Sequence, residues 1–263
     1  MYTRFERTGP LKDLRSYPQW AQDMVAACEP VRRQVTEHEI LWRMTTLQLD
    51  AAGSHDFFAG LWPFIERFPS FMALSLLKTR YGRSEGDDMA RRWLVRNIRV
   101  EQNHAEYWLN WAEGAGVARD ELLHHPAPAG TDGLYRWGEE ISTDGSLAAG
   151  LAAANYAIEG ATGDWARTIN DSAVYCDSFA PETRAASLRW LKMHAAYDDT
   201  HPWEALEIVC ALLGMNPSVA EVAHLGECIE RSYRCMALFG DRCVRRQHVT
   251  RDVQRGASLA TLA

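Results

Sequence analysis

A single all-helical bundle is the fold this sequence predicts, and three observations predict it. Alternating Val/Ile/Thr runs and Asn-Gly hairpin signals are missing. Apolar residues recur at helical spacing along most of the chain. Capping serines and helix-opening prolines mark off segments of helix length. No repeat, linker or break in composition divides the chain. Residues 1–250 are therefore expected to form one bundle of about seven to nine helices, and residues 251–263 a polar, frayed tail.

Taken in order, PVRRQVTEHEILWRMTTLQLD (30–50) puts Pro30 at a first helical position, with an apolar stripe through Val31, Val35, Leu41, Trp42 and Leu49. SHDFFAGLWPFIERFPSFMALSLLKTRYG follows, capped by Ser54. Pro63 and Pro69 should divide it into two pieces. Ser84 caps a long helix, SEGDDMARRWLVRNIRVEQNHAEYWLNWAEGAG, with acidic residues in its first turn and Gly114 or Gly116 at its end. LLHHPAPAGTDG is a loop carrying a solvated His124–His125 pair. SLAAGLAAANYAIEGATGDWARTI is a helix rich in Ala and Gly. PETRAASLRWLKMHAAYDD starts at Pro181 and leads into THPWEALEIV. PSVAEVAHLGECIERSYRCMALFGDRCVRRQ closes the fold.

Composition narrows the function. The 263 residues are 47% hydrophobic and 24% charged, enough for a sizeable core. The net charge of −7 and the lack of a basic block speak against nucleic acid or an anionic membrane as partner. The charged N-terminus is not a secretory signal, and the apolar run IVCALLGM is far too short to span a bilayer. A soluble, cytoplasmic protein is expected. Its six cysteines form no CxxC pair and read as buried hydrophobes in a reducing compartment.

The chemistry concentrates in three stretches. WLKMHAAYDDTHPWEALEIV sets His194, Asp198 and His201 at i, i+4 and i+7, within roughly 60° of one another on a helix. Such a face is half of a metal site, or else a solvated polar face. On the helix expected over 84–114, Glu101 and His104 share an apolar face with Leu94, Ile98, Ala105 and Trp108, with Asn97 as its other polar residue. A carboxylate there needs a cation or a partner, and Arg96 or Arg99 could be that partner. Glu159 lies among Ala, Asn, Tyr, Thr and Gly neighbours. Gly160 and Gly163 imply close approach of a helix or ligand, and an arginine partner for Glu159 is the alternative.

Counted together, three carboxylates and three imidazoles without thiolates suit iron or manganese better than structural zinc. Six ligands across two ions leave open positions for dioxygen and substrate. A catalytic centre is therefore expected, with Glu101, His104, Glu159, His194, Asp198 and His201 as ligands. One feature departs from a symmetric pair of Glu-x-x-His units: here one such unit faces His-x3-Asp-x2-His. Pro202 also disfavours helical geometry at His201.

The segments FERTGPL, DMARRWLVRNIRVEQNHAEYWLNW, NYAIEGATGDW and WLKMHAAYDDTHPWEALEI resemble the haem-oxygenase-like di-metal oxidases, a helical superfamily that includes TenA-type and pyrroloquinoline-quinone-synthase-type proteins. Within it the chain closely resembles the UndA-type medium-chain fatty-acid decarboxylases, which form 1-undecene. The resemblance implies the same six ligands, two Fe(II) ions and dioxygen as co-substrate. It also implies decarboxylation of a medium-chain fatty acid such as lauric acid to a terminal alkene and CO2. Glu101 and Glu159 would be the catalytic carboxylates. An external electron donor fits the reaction, and the chain is expected as a monomer or homodimer without membrane insertion.

A tunnel for the alkyl tail would draw on Phe57, Phe58, Leu61, Trp62, Phe64 and Phe68, unless Glu66 faces it. Four other functions compete. One is a related oxidase acting on an amino-acid-like substrate. A haem protein would use His38 as axial ligand, and TenA-like thiamin hydrolysis would need a poised cysteine. The last is a non-catalytic iron-binding helical protein.

Overall fold

The structure, a computed structural model, describes the backbone of residues 13–197 and 200–260 and the side chains of 13–196 and 200–245. All regular structure among them is helical. Asp198, the FERTGPL segment and the side chains of the C-terminal tail lie outside the described residues.

The first helix, α1 (Gln19–Thr36), opens behind Pro18 and carries Pro30 inside it, so Pro30 is not the helix start that the sequence suggested. The buried face Ala21, Met24, Cys28 and Val35 packs along α14 (Val219–Ala260), and this contact holds the helix through the proline. The chain breaks at Glu37–His38. The His38 Nδ1 accepts the Ile40 N–H at 3.1 Å and caps α2 (Glu39–Thr45). The expected helix over 30–50 is thus two helices, and Trp42 of its supposed apolar stripe is exposed.

In α3 (Ala51–Leu77) the expected division at Pro63 and Pro69 does not occur. A proline in a helix interior costs about 3 kcal/mol. Each large apolar side chain buried returns about 1.5–3 kcal/mol, and Phe57, Phe58, Leu61, Phe64, Phe68, Phe71 and Met72 are all buried on this helix. Packing wins. The cap is Asp50, which accepts the Gly53 N–H at 2.8 Å, and not Ser54.

The helix expected over 84–114 is also two: α4 (Glu85–Glu101), capped by Ser84, and α5 (His104–Gly114). The break at Gln102–Asn103 leaves Glu101 as the last residue of one helix and His104 as the first of the next.

Two shorter helices, α6 (Arg119–His124) and α7 (Gly133–Asp144), precede α8 (Leu147–Gly150). The chain then winds as a π-helix over Leu151–Ile158 before α9 (Glu159–Asn170). Every π-helical residue is buried, and the small side chains of LAAAN let neighbouring helices close on it. After α10 (Ala173–Asp177), the helix expected from Pro181 begins at Arg184 and is interrupted at Leu188, giving α11 (Arg184–Ser187) and α12 (Arg189–Tyr197). The next helix, α13 (His201–Leu213), packs on α4 and on the π-helical segment.

The core centres on Trp108, Trp111 and Trp190, each at most 1% exposed. Trp165, Trp111 and Trp190 stack with interplanar angles of 19–24°. Among the described residues no helix is long and apolar enough to cross a membrane.

Candidate metal centre

The α4–α5 break and α12 bring three of the six expected ligands together. Glu101, His104 and His194 are all buried, and each offers a ligand atom within 4.8 Å of the others. The His104 and His194 rings stand 4.8 Å apart between centroids. Glu101 Oε2 abuts His104 Nδ1, yet both His104 ring nitrogens lack an aligned hydrogen-bond partner among the described residues.

His194 is held on two sides. Its Nδ1 donates to the Trp190 carbonyl at 2.8 Å, and its ring stacks on the Trp190 indole at 3.7 Å. That hydrogen bond leaves Nε2 as the atom for a metal. Burial holds His194 well below the ordinary imidazole range, reinforced by His104 and His201, with the Trp190 carbonyl opposing. The ring is therefore neutral and able to ligate near neutral pH.

Glu159 and His201 form a second group. Glu159 Oε1 lies 3.1 Å from His201 Nδ1, and Oε2 accepts from Asn155 Nδ2 at 3.3 Å. Pro202 does not displace His201. The imidazole opens α13, with the proline inside the first turn where its missing N–H costs nothing. Gly160 permits this approach, since a Cβ there would stand 3.2 Å from Pro202 Cβ. Burial lowers the His201 pKa, but the hydrogen bond and charge of Glu159 outweigh it, and the net shift is upward. Asp198, the sixth expected ligand, lies outside the described residues.

One of the two arginines proposed as a partner for Glu101 pairs with a different carboxylate. Arg96 pairs with Glu204, which also accepts from Trp93 Nε1 at 2.9 Å. Glu159 has an imidazole and an amide where an arginine had been the alternative. Sequence reasoning missed Asn155, Trp190 and Glu204. Asn155 and Trp190 each stand one helical turn before a site residue, a spacing visible in the sequence. Glu204 is set by long-range packing and left no local signal.

The chemistry of the donor set fits a redox metal. A buried carboxylate and two buried imidazoles converge, the His104 nitrogens without an aligned hydrogen-bond partner, and no thiolate joins them among the described residues. His38 does not fit a haem ligand, because Nδ1 takes the Ile40 N–H and Nε2 lies 3.3 Å from Asp241 Oδ1.

The two histidines have opposite effects on the stability of the metal-free protein. His201, raised in the fold, adds stability that is full below its ordinary value of 6.5 and is lost as pH climbs through the raised folded value. His194, depressed in the fold, adds stability present above 6.5 and lost as pH falls below it. In metal-free melts, His201→Gln should cost most at acid pH and His194→Gln most at neutral pH. Equal costs at both pH values would contradict these assignments.

A cavity of about 570 Å³, its open mouth included, lies between α1, α3, α9 and α14. Phe57, Leu61 and Phe64 line it as expected, joined by Leu134, Ile158 and Phe239. Phe58 instead packs on Trp108 and Trp111, and Phe68 packs on Phe64. Glu66 is exposed and turned toward Arg67. Ile158 is the neighbour of Glu159, and lining residue Trp165 stacks on Trp190, which stacks on His194.

The chain matches the family of iron-containing redox enzymes over residues 55–238. Among solved structures, a TenA homologue from Pseudomonas syringae pv. tomato is 47% identical, with 92% of this chain and 99% of that one covered and a TM-score of 0.87. A TenA family transcription regulator from Silicibacter sp. TM1040 is 15% identical over 86% of this chain and 97% of that one (TM-score 0.66). A domain with a haem-oxygenase-like fold from Shewanella denitrificans is 14% identical over 92% and 96% (TM-score 0.65), a likeness of fold alone. No curated protein is significantly similar. With its helical bundle and convergent Glu/His cluster, the chain belongs to the haem-oxygenase-like family of iron-containing redox enzymes.

Proposed function

We propose that this chain is a cytoplasmic, O2-dependent decarboxylase that converts a medium-chain fatty acid to a terminal alkene and CO2. The observation that carries the proposal is the apolar cavity lined by Ile158, next to Glu159 in the chain, and by Trp165, which stacks on the Trp190 that packs on His194. Its walls are aliphatic and aromatic apart from His38 and Thr162, which suits an alkyl tail. They offer no carboxylate for the ammonium group of an amino-acid-like substrate. No cysteine lines the cavity, and burial pushes the Cys28 and Cys228 thiols up to about 11, which disfavours thiamin-type hydrolysis.

Glu101, His104 and His194 would hold one iron, and Glu159 and His201, with Asp198, a second. Iron held there would supply one-electron redox chemistry for O2 and for removal of a hydrogen atom from the substrate β-carbon. Losing that hydrogen atom, the acid proton and one further electron lets the C1–C2 bond break. The acid thus yields two electrons, while reduction of O2 to water takes four, so an external donor supplies the other two. The residues of this chain bind and orient. The aromatic walls exclude water from the radical stage, and Glu159 and His201 share a proton at Nδ1 that a second ion would displace.

Anaerobic loading with Fe(II), then O2 and dodecanoic acid with a reductant, tests the proposal. A vapour-phase alkene one carbon shorter than the acid is expected. Glu159→Ala should fold normally and lose that product. Iron oxidation without any fatty-acid product would leave a non-catalytic iron protein and overturn the proposal.

A further inference from the structure

Both carboxylates that begin or end a site helix have an asparagine one turn before them, in NIRVE (97–101) and NYAIE (155–159). On the second of these the pair is made. Glu159 divides its oxygens, Oε1 toward His201 and Oε2 toward the Asn155 amide at 3.3 Å. On the first it is not. Asn97 is fully buried at 0% exposure, on the same buried face of α4 as Trp93, Leu94 and Glu101. Neither its Nδ2 nor its Oδ1 has a hydrogen-bond partner among the described residues. A buried amide with both ends unserved is costly, and native proteins keep few of them. Meanwhile Glu101 is turned onto His104, whose ring nitrogens are also unserved.

We propose that Asn97 is a positioning residue for the metal-bound orientation of Glu101, as Asn155 already is for Glu159. Residues four apart on a helix are neighbours. When Glu101 leaves His104 and gives one oxygen to a metal, its other oxygen takes the Asn97 Nδ2–H. Asn97 then fixes which oxygen binds, and its Nδ2 gains a partner. The inference rests on Glu101, His104 and His194 being metal ligands.

Two measurements on Asn97→Leu, an apolar side chain of similar shape, test it: the metal-free melt, and titration with Co(II) alone followed by visible absorption. Removing an unpaired buried amide should leave the metal-free melting temperature unchanged or higher. Losing an outer partner of a ligand should weaken Co(II) binding about 10- to 100-fold and shift the Co(II) bands. Asn155→Leu should instead lower the metal-free melting temperature, because its hydrogen bond exists there. Wild-type Co(II) affinity and bands in Asn97→Leu would overturn the proposal. So would weaker binding with a lower metal-free melting temperature, which would mark Asn97 as structural. If Asn97→Leu fails to fold, Asn97→Ala decides by the same pair of measurements. Failure of the wild-type chain to bind Co(II) would overturn the metal site itself, and Asn97's role with it.

Discussion

Glu101→Ala is expected to abolish O2-dependent turnover and to weaken Fe(II) binding by more than about 100-fold, beyond the loss that follows removal of an outer partner. Glu101 is the one carboxylate of the convergent Glu101–His104–His194 trio, so the variant removes its only negative ligand. The fold should not suffer. Leaving a carboxylate buried costs desolvation energy that the alanine does not incur. Anaerobic Fe(II) calorimetry and a metal-free thermal melt check the two halves separately. Full Fe(II) affinity in the variant would remove Glu101 from the site. A markedly lower melting temperature would make the Glu101–His104 contact structural.

Trp190→Ala should destabilise the fold by about 3–5 kcal/mol. Its indole is 1% exposed and packs on Trp108, Trp111, Trp165 and His194. Metal binding should fall as well, by about 10- to 100-fold, since the stacked ring that orients His194 is gone. Trp190→Phe separates the effects. It keeps a stacking ring and gives up part of the indole's packing area and an Nε1–H that has no partner among the described residues, so most of the metal-binding loss and part of the stability loss should be recovered. Chemical denaturation and Fe(II) titration of the two variants read this out. Equal damage from Phe and Ala would mean that stacking is not what holds His194.

Glu101 and His104 stand out in the sequence because a carboxylate on an apolar helical face needs a cation or a partner. His194 stands out for a different reason, its i, i+4 and i+7 spacing with Asp198 and His201. The helix boundaries were harder. Pro30, Pro63 and Pro69 all break helices in isolation, and here they sit within helices because the buried faces of α1 and α3 outweigh the lost hydrogen bonds. The break between Glu101 and His104 carries no glycine or proline to announce it. It nevertheless positions the Glu-x-x-His pair. The π-helical turn before Glu159 leaves only a run of small residues in the sequence. Such turns often lie at functional sites. Pro202 disfavoured helical geometry at His201, and the structure starts α13 at the histidine with its ring against Glu159.

Anomalous diffraction at the iron edge from Fe(II)-loaded crystals tests the metal centre most directly. One ion should lie within bonding reach of Glu101, His104 and His194, with His194 ligating through Nε2, and a second beside Glu159 and His201. Iron bound elsewhere, for instance at His38, or no iron between Glu101, His104 and His194, would contradict it.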